Sequence, residues 1–210
     1  MRDGPTSQHS DEEKEGNSVS DFLIANARII TLDKGDLPRR GSSMADLGVI
    51  ENGYVLVLDG KINQVQSGSP DQEVFDKSDE LVVIDAEGRV VMPTFVDCHT
   101  HSCWAGSRLD EFEAGLQGVP YLDILAQGGG IMSTVKSVRE ATQEELATKL
   151  VGRVALMASM GTTVVEVKSG YGLTTKDELK MLRAIHDASQ EIPQLVSGTF
   201  LGAHAIDPDV

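Results

Sequence analysis

The chain has 210 residues, with 18 Lys+Arg against 33 Asp+Glu and a formal net charge of −15, a balance that repels phosphate backbones and anionic lipid and argues against nucleic-acid and membrane-surface roles. Its longest apolar runs, such as residues 81–84 (LVVI), fall far short of the ~20 residues of a spanning helix, and the N-terminus lacks the basic flank and apolar core of a secretory signal. A 40% hydrophobic content can fill one or two cores, and two cysteines cannot staple a chain this long, so the expectation is a cytoplasmic globular protein.

Residues 1–20 are polar and nearly free of apolar side chains. Burial cannot offset their ordering entropy, so they read as a disordered acidic tail in which His9 is solvated. Residues 21–92 are rich in β-branched side chains and read as a small β-rich domain without a helix. Residues 21–32 form one strand, and Asp59-Gly60 splits residues 53–65 into a hairpin. Residues 81–84 and 89–92, joined by Asp-Ala-Glu-Gly at 85–88, read as a second hairpin, and 34–52 as loop.

From residue 93 strands alternate with helices, the pattern of a parallel sheet with crossover connections. Residues 95–101 (FVDCHTH) read as a strand. Thr142 and Glu145 form a capping box for a helix that carries Leu146, Leu150, Val154 and Met157 on one face and closes at Gly161. Residues 162–168 (TTVVEVK) form the next strand. Thr175 and Glu178 open a helix carrying Leu179, Leu182 and Ile185, and residues 195–203 form a third strand. A closed eight-unit barrel takes ~250 residues. About three units therefore make either a small open sheet or a piece of something larger.

Side chains at i and i+2 of a strand share a face, so His99 and His101 present two imidazoles together, beside Phe95 and Asp97. That is half of a first-row metal site. Cys98 points to the other face, expected against a helix, and Cys103 falls in the following loop, which disfavours a local zinc knuckle. Glu166 and Lys168 share a strand face with Val164, either as a structural ion pair or as part of a site. Tyr171, between Gly170 and Gly172, sits just past a strand end, where a ligand-contacting phenol belongs. His204 ends the third strand, whereas His186 lies mid-helix beside Leu182, outside the candidate ligand shell. Arg108, in the first loop, is either a surface charge or suited to bidentate recognition of a carboxylate. Gly128-Gly129-Gly130 follows no strand and lacks the lysine of a P-loop, so it reads as a mobile loop.

Taken together, these residues resemble a known family. A β-rich lead-in followed by PTFVDCHTH (93–101) is similar to the start of a metal-dependent amidohydrolase. AGSR (105–108), DEF (110–112), GGGI (128–131), VEVKSGYG (165–172), ELKMLR (178–183) and TFLGAHA (199–205) resemble the imidazolonepropionase family, from about Phe22 to the last residue. The resemblance implies an α/β protein: the N-terminal portion of a (β/α)8 TIM barrel, incomplete in this chain, preceded by part of a composite β-sandwich. It implies hydrolysis of the ring amide of 4-imidazolone-5-propanoate to N-formimidoyl-L-glutamate, in histidine degradation, with one zinc or iron ion. His99 and His101 match metal ligands, and Arg108, Tyr171 and His204 match substrate-holding positions, with Arg108 suited to the propanoate. Glu166 and Lys168 are expected just behind the ligands.

The family's remaining metal ligands and its catalytic base are expected beyond Val210, so residues 1–210 alone are expected to bind metal weakly and to lack turnover. Barrel amidohydrolases commonly pair, so a homodimer is the expected assembly, though no residue here shows it. Thr94 and Cys98 depart from the family's usual Gly and Pro. Two alternatives stand beside this reading: a related amidohydrolase acting on another cyclic amide or an amino-heterocycle, and a non-catalytic truncated fragment.

Overall fold

The computed structural model describes residues 20–33 and 38–207. The acidic tail and His9 lie outside these residues, apart from Ser20, as do residues 34–37 of the first loop and residues 208–210. The chain divides into two compact units between Pro93 and Thr94.

The first unit is a five-stranded mixed sheet. β1 (Phe22–Ile30) pairs antiparallel with β2 (Val49–Leu58), and β2 with β3 (Lys61–Ser67). The β2–β3 turn is Asp59-Gly60, both at positive φ (51° and 70°), the twist that matches two antiparallel strands. The unit is not free of helix, as the sequence suggested. A 3-10 turn covers Gly41–Ala45, and the one-turn α1 (Gln72–Phe75) is capped by the Asp71 side chain and buries Val74 against Leu23, Tyr54 and Leu56. Neither is long enough to leave a periodic signature.

The expected second hairpin is absent. β4 (Val82–Asp85) and β5 (Val90–Val91) both run parallel to β1 and form successive parts of one path along it. Glu87 and Gly88 have the positive φ values (54° and 77°) of a hairpin turn, but this turn spans a bulge in β1. At the bulge Asn26 has φ 53°, its carbonyl accepts the Gly88 N–H at 2.7 Å, and its amide donates to Asp85 at 3.1 Å. The extra residue also reverses the side-chain alternation. Leu23 packs on the α1 side, whereas Ala27 and Ile29 pack with Val55 and Val57 on the other.

The second unit carries a three-stranded parallel sheet in the order β6 (Phe95–Thr100), β7 (Thr162–Lys168), β8 (Leu195–Thr199). The connection from β6 to β7 holds α2 (Leu109–Leu116), α3 (Tyr121–Ala126), α4 (Ile131–Glu140) and α5 (Gln143–Ser159), and α6 (Thr175–Glu191) links β7 to β8. Thr142 and Glu145 form the expected capping box on α5. Leu146, Leu150 and Val154 of α5 pack with Val165 and Val167 of β7 and Met181 and Ile185 of α6 in one core.

α6 begins one residue earlier than its sequence signal. Thr174 is the cap and accepts the Asp177 N–H, which turns Glu178, Met181, Ala184, Ile185 and Ala188 inward and leaves Leu179 42% exposed. The three glycines at 128–130 form the loop that joins α3 to α4, with Gly130 (φ 76°) as the α4 cap. Among the described residues no helix is long and apolar enough to cross a membrane.

Candidate active site

The site lies at the C-terminal ends of the three parallel strands. β6 and β7 lose register between Asp97 and Thr100, where three steps of β6 match two of β7. His101 follows the last strand residue, and the His99 and His101 rings lie 5.5 Å apart by centroid. The His101 ring stacks on His204, after β8, at 4.5 Å and meets Tyr171, after β7, at 5.3 Å; Tyr171 and His204 are 5.8 Å apart. Residues from all three strand ends thus converge on His101.

His101 Nδ1 is buried with no hydrogen-bond partner. Burial holds its pKa below the ordinary value, helped by the charges of His204, His99 and Lys168, which favours the neutral imidazole that a metal requires. A buried ring nitrogen without a protein partner fits an ion ligand. Among the described residues no cluster of three or more His, Cys, Asp or Glu could hold an ion. Lys168 and Glu166 pair through Nζ and Oε1 on the adjoining strand face. Burial pushes the Glu166 carboxyl up, but the Lys168 ammonium together with hydrogen bonds from Thr199 and Thr100 leaves it below its ordinary value.

A cavity of about 220 Å³ opens beside His101, lined among others by Trp104, Ser107, Arg108, Ser137 and Tyr171. Arg108 caps α2 and pairs with Glu111 at 2.8 Å; the same Glu111 oxygen accepts the Gly130 N–H at 3.0 Å. The guanidinium is thereby oriented at the cavity edge. Burial raises the Tyr171 phenol above its ordinary pKa, against a smaller lowering by Arg108, so at neutral pH it is an O–H donor.

The supporting residues were less legible. Arg153 of α5 donates to the carbonyls of Ser102 and Trp104, each at 2.8 Å, and its guanidinium lies 3.7 Å from the Trp104 ring centre. Its position next to Val154 and one turn after Leu150, a charge at the rim of an apolar stripe, was the available signal. Arg139 donates to the Gly172 carbonyl at 2.9 Å and pairs with Asp207.

Cys98 departs from its expected packing against a helix, whereas Cys103 lies in the loop after β6 as expected. Cys98 is exposed, whereas Cys103 is fully buried in the helix-packed core with its thiol pushed up to about 12 by burial. Thr94, at the start of β6, accepts a hydrogen bond from the Thr163 hydroxyl at 2.7 Å. His186 is exposed on α6.

An amidohydrolase-family profile matches residues 82–120. The chain is 45% identical over 197 residues to an imidazolonepropionase of Alkaliphilus metalliredigens, covering 90% of this chain and 46% of that protein. It is 46% identical over 193 residues to one from Symbiobacterium thermophilum, covering 90% and 44%. Among solved structures it resembles a 5-methylcytosine deaminase from Klebsiella pneumoniae (TM-score 0.52, 20% identity, 85% of this chain and 35% of that one). It also resembles the atrazine chlorohydrolase TrzN from Arthrobacter aurescens TC1, solved with zinc (TM-score 0.50, 17% identity, 89% and 38%). At such identities these structures establish the α/β fold alone. The chain spans somewhat under half the length of the curated relatives it matches. Over most of its length the sequence is thus similar to the N-terminal part of imidazolonepropionases, with an amidohydrolase-family match inside that span.

Proposed function

We propose that this chain is the N-terminal part of an enzyme that hydrolyses the ring amide of 4-imidazolone-5-propanoate to N-formimidoyl-L-glutamate. The convergence of His101, Tyr171 and His204 beside a cavity edged by Arg108 carries the reading. His99 and His101 are the residues that hold one zinc or iron ion. When bound, such an ion lowers the pKa of a water to ~7 and polarises the ring carbonyl.

The chain's own residues bind and orient. The Arg108 fork, steadied by Glu111, takes the propanoate carboxylate by charge-assisted hydrogen bonds. The Tyr171 hydroxyl donates to a ring heteroatom, and His204, stacked on His101, walls the ring on its other side. The Glu166–Lys168 pair backs the histidines with a compensated charge on the strand face. Water adds to the ring carbonyl, the ring C–N bond breaks, and the released nitrogen takes up a proton. The general base and the other metal ligands belong to chain beyond Val210.

In this reading residues 93–210 form the first part of a (β/α)8 barrel, and residues 21–92 part of a β-sandwich. Phe95, Val96 and Leu195, 56%, 63% and 65% exposed on the two outer strands of the parallel sheet, supply apolar surface for neighbouring strands and helices. The site takes a small molecule, and the −15 charge suits a cytoplasmic enzyme that binds neither nucleic acid nor membrane. A homodimer is the proposed assembly. The test is metal-dependent hydrolysis of imidazolone propanoate by the full polypeptide containing these residues; absence of turnover with either metal refutes the activity.

A further inference from the structure

Glu178 is a carboxylate in the first turn of α6 that no part of the reaction uses, and it is 2% exposed. Its Oε2 accepts the N–H of Gly170, and its Oε1 accepts those of Gly172 and Leu173, each at 2.8 Å. Three backbone donors on one buried carboxylate are charge-assisted bonds in a low-dielectric setting. All three flank one side chain, Tyr171, which reaches the other way onto His101 and His204. The loop accepts this path because Gly170 and Leu173 take positive φ (116° and 58°). Gly172 lies so close to α6 that a Cβ there would be 2.5 Å from the Glu178 nitrogen. The hydroxyl of Ser169 accepts the Leu201 N–H at 3.0 Å and joins the same loop to the one that follows β8.

We propose that Glu178 is a positioning residue: by holding the N–H groups of Gly170, Gly172 and Leu173, its carboxylate sets where the Tyr171 phenol stands in the site, and so how tightly substrate is held. The substrate half of this statement rests on the activity proposed above; the loop half does not. Glu178→Gln keeps shape and volume but turns one acceptor into an NH2 that faces a backbone N–H. Loss of that acceptor frees the loop without opening a cavity.

The experiment uses the full polypeptide with metal and compares wild type, E178Q, Y171F and the double variant. Hydrogen–deuterium exchange at residues 170–173 in E178Q is expected to rise about tenfold or more, with exchange in the rest of α6 and in β7 unchanged. KM is expected to rise about tenfold with kcat within about twofold, and the double variant to be no worse than the worse single one, since both changes act through one phenol. E178D, which keeps both acceptor oxygens on a shorter stem, is expected to fall between wild type and E178Q, and it carries the same readouts if E178Q does not fold. Unchanged exchange at 170–173, exchange that rises across the whole unit, or KM effects that multiply in the double variant each overturn the proposal. If wild type fails to hydrolyse imidazolone propanoate, the activity reading falls, and the exchange measurement alone decides whether Glu178 sets the loop.

Discussion

His101 stacks on His204 with ring centres 4.5 Å apart and planes at 28°, although one follows β6 and the other follows β8, with β7 between them. In the function proposed above, His101 holds the metal and His204 the substrate, two roles that the contact does not make equivalent. His101→Ala is therefore expected to weaken zinc or iron binding by more than the ~10–100-fold that loss of an outer partner costs. His204→Ala is expected to leave metal affinity nearly unchanged and to raise KM. Equilibrium dialysis of the metal, set beside steady-state kinetics, separates the two; equal loss of metal in both variants would contradict the division of roles.

Arg108 tests substrate identity. If it binds the propanoate, Arg108→Ala removes charge-assisted hydrogen bonds worth about 1.5–3 kcal/mol, an increase in KM of roughly 10–100-fold with little change in kcat. Arg108→Lys keeps the charge but not the fork and is expected to recover only part of that loss. A neutral ester or amide of the substrate should be insensitive to either change. An unaltered KM in Arg108→Ala would favour a related amidohydrolase acting on an uncharged ring.

The loop that carries His101 and Trp104 is held from behind. Arg153 bonds the Ser102 and Trp104 carbonyls and covers the indole. Arg153→Ala leaves two carbonyls without donors and a stripped aromatic face, a destabilisation of about 2–4 kcal/mol. Chemical denaturation followed by Trp104 fluorescence, from the only tryptophan in the chain, reads both the shift in midpoint and the changed environment of the ring. A midpoint within error of wild type would show that the contact contributes nothing.

Acid sensitivity of the second unit follows from Asp177. Burial pushes its carboxyl up, but bonds from the Thr174 hydroxyl and the Lys180 ammonium outweigh burial, so its folded pKa lies below the usual value. A carboxylate with a lowered folded pKa stabilises the fold above its unfolded value of ~3.9 and loses that contribution as pH falls through the folded one. Asp177→Asn is expected to lower stability at neutral pH and to flatten the stability–pH curve below about pH 5. Denaturant midpoints measured from pH 7 downward check the sign. Parallel curves for the two proteins would contradict it.

How far these features could be read from sequence depended on the range of the forces involved. The α5 cap at Thr142 and Glu145 and the Asp59-Gly60 turn are local chemistry and were legible. The pairing of His99 with His101 was legible from strand alternation, even though the ladder slips between Asp97 and Thr100. The Glu87-Gly88 turn misled because its backbone suits a hairpin, while the partner that decides the pairing, Asn26 of β1, lies about sixty residues away. α2 was obscured because Leu109, Phe112 and Leu116 are helically spaced yet 66–74% exposed, so no buried stripe marks them. Glu178 looked like half of a capping box, and only the folded loop reveals what its carboxylate holds.

The most direct test is turnover itself. The full polypeptide containing these residues, loaded with zinc or iron, is incubated with 4-imidazolone-5-propanoate, and the products are identified by mass. The account predicts metal-dependent gain of one water and formation of N-formimidoyl-L-glutamate, abolished by a chelator and restored by the metal. An intact substrate with either metal bound, or a product formed equally well after the metal is removed, would contradict it.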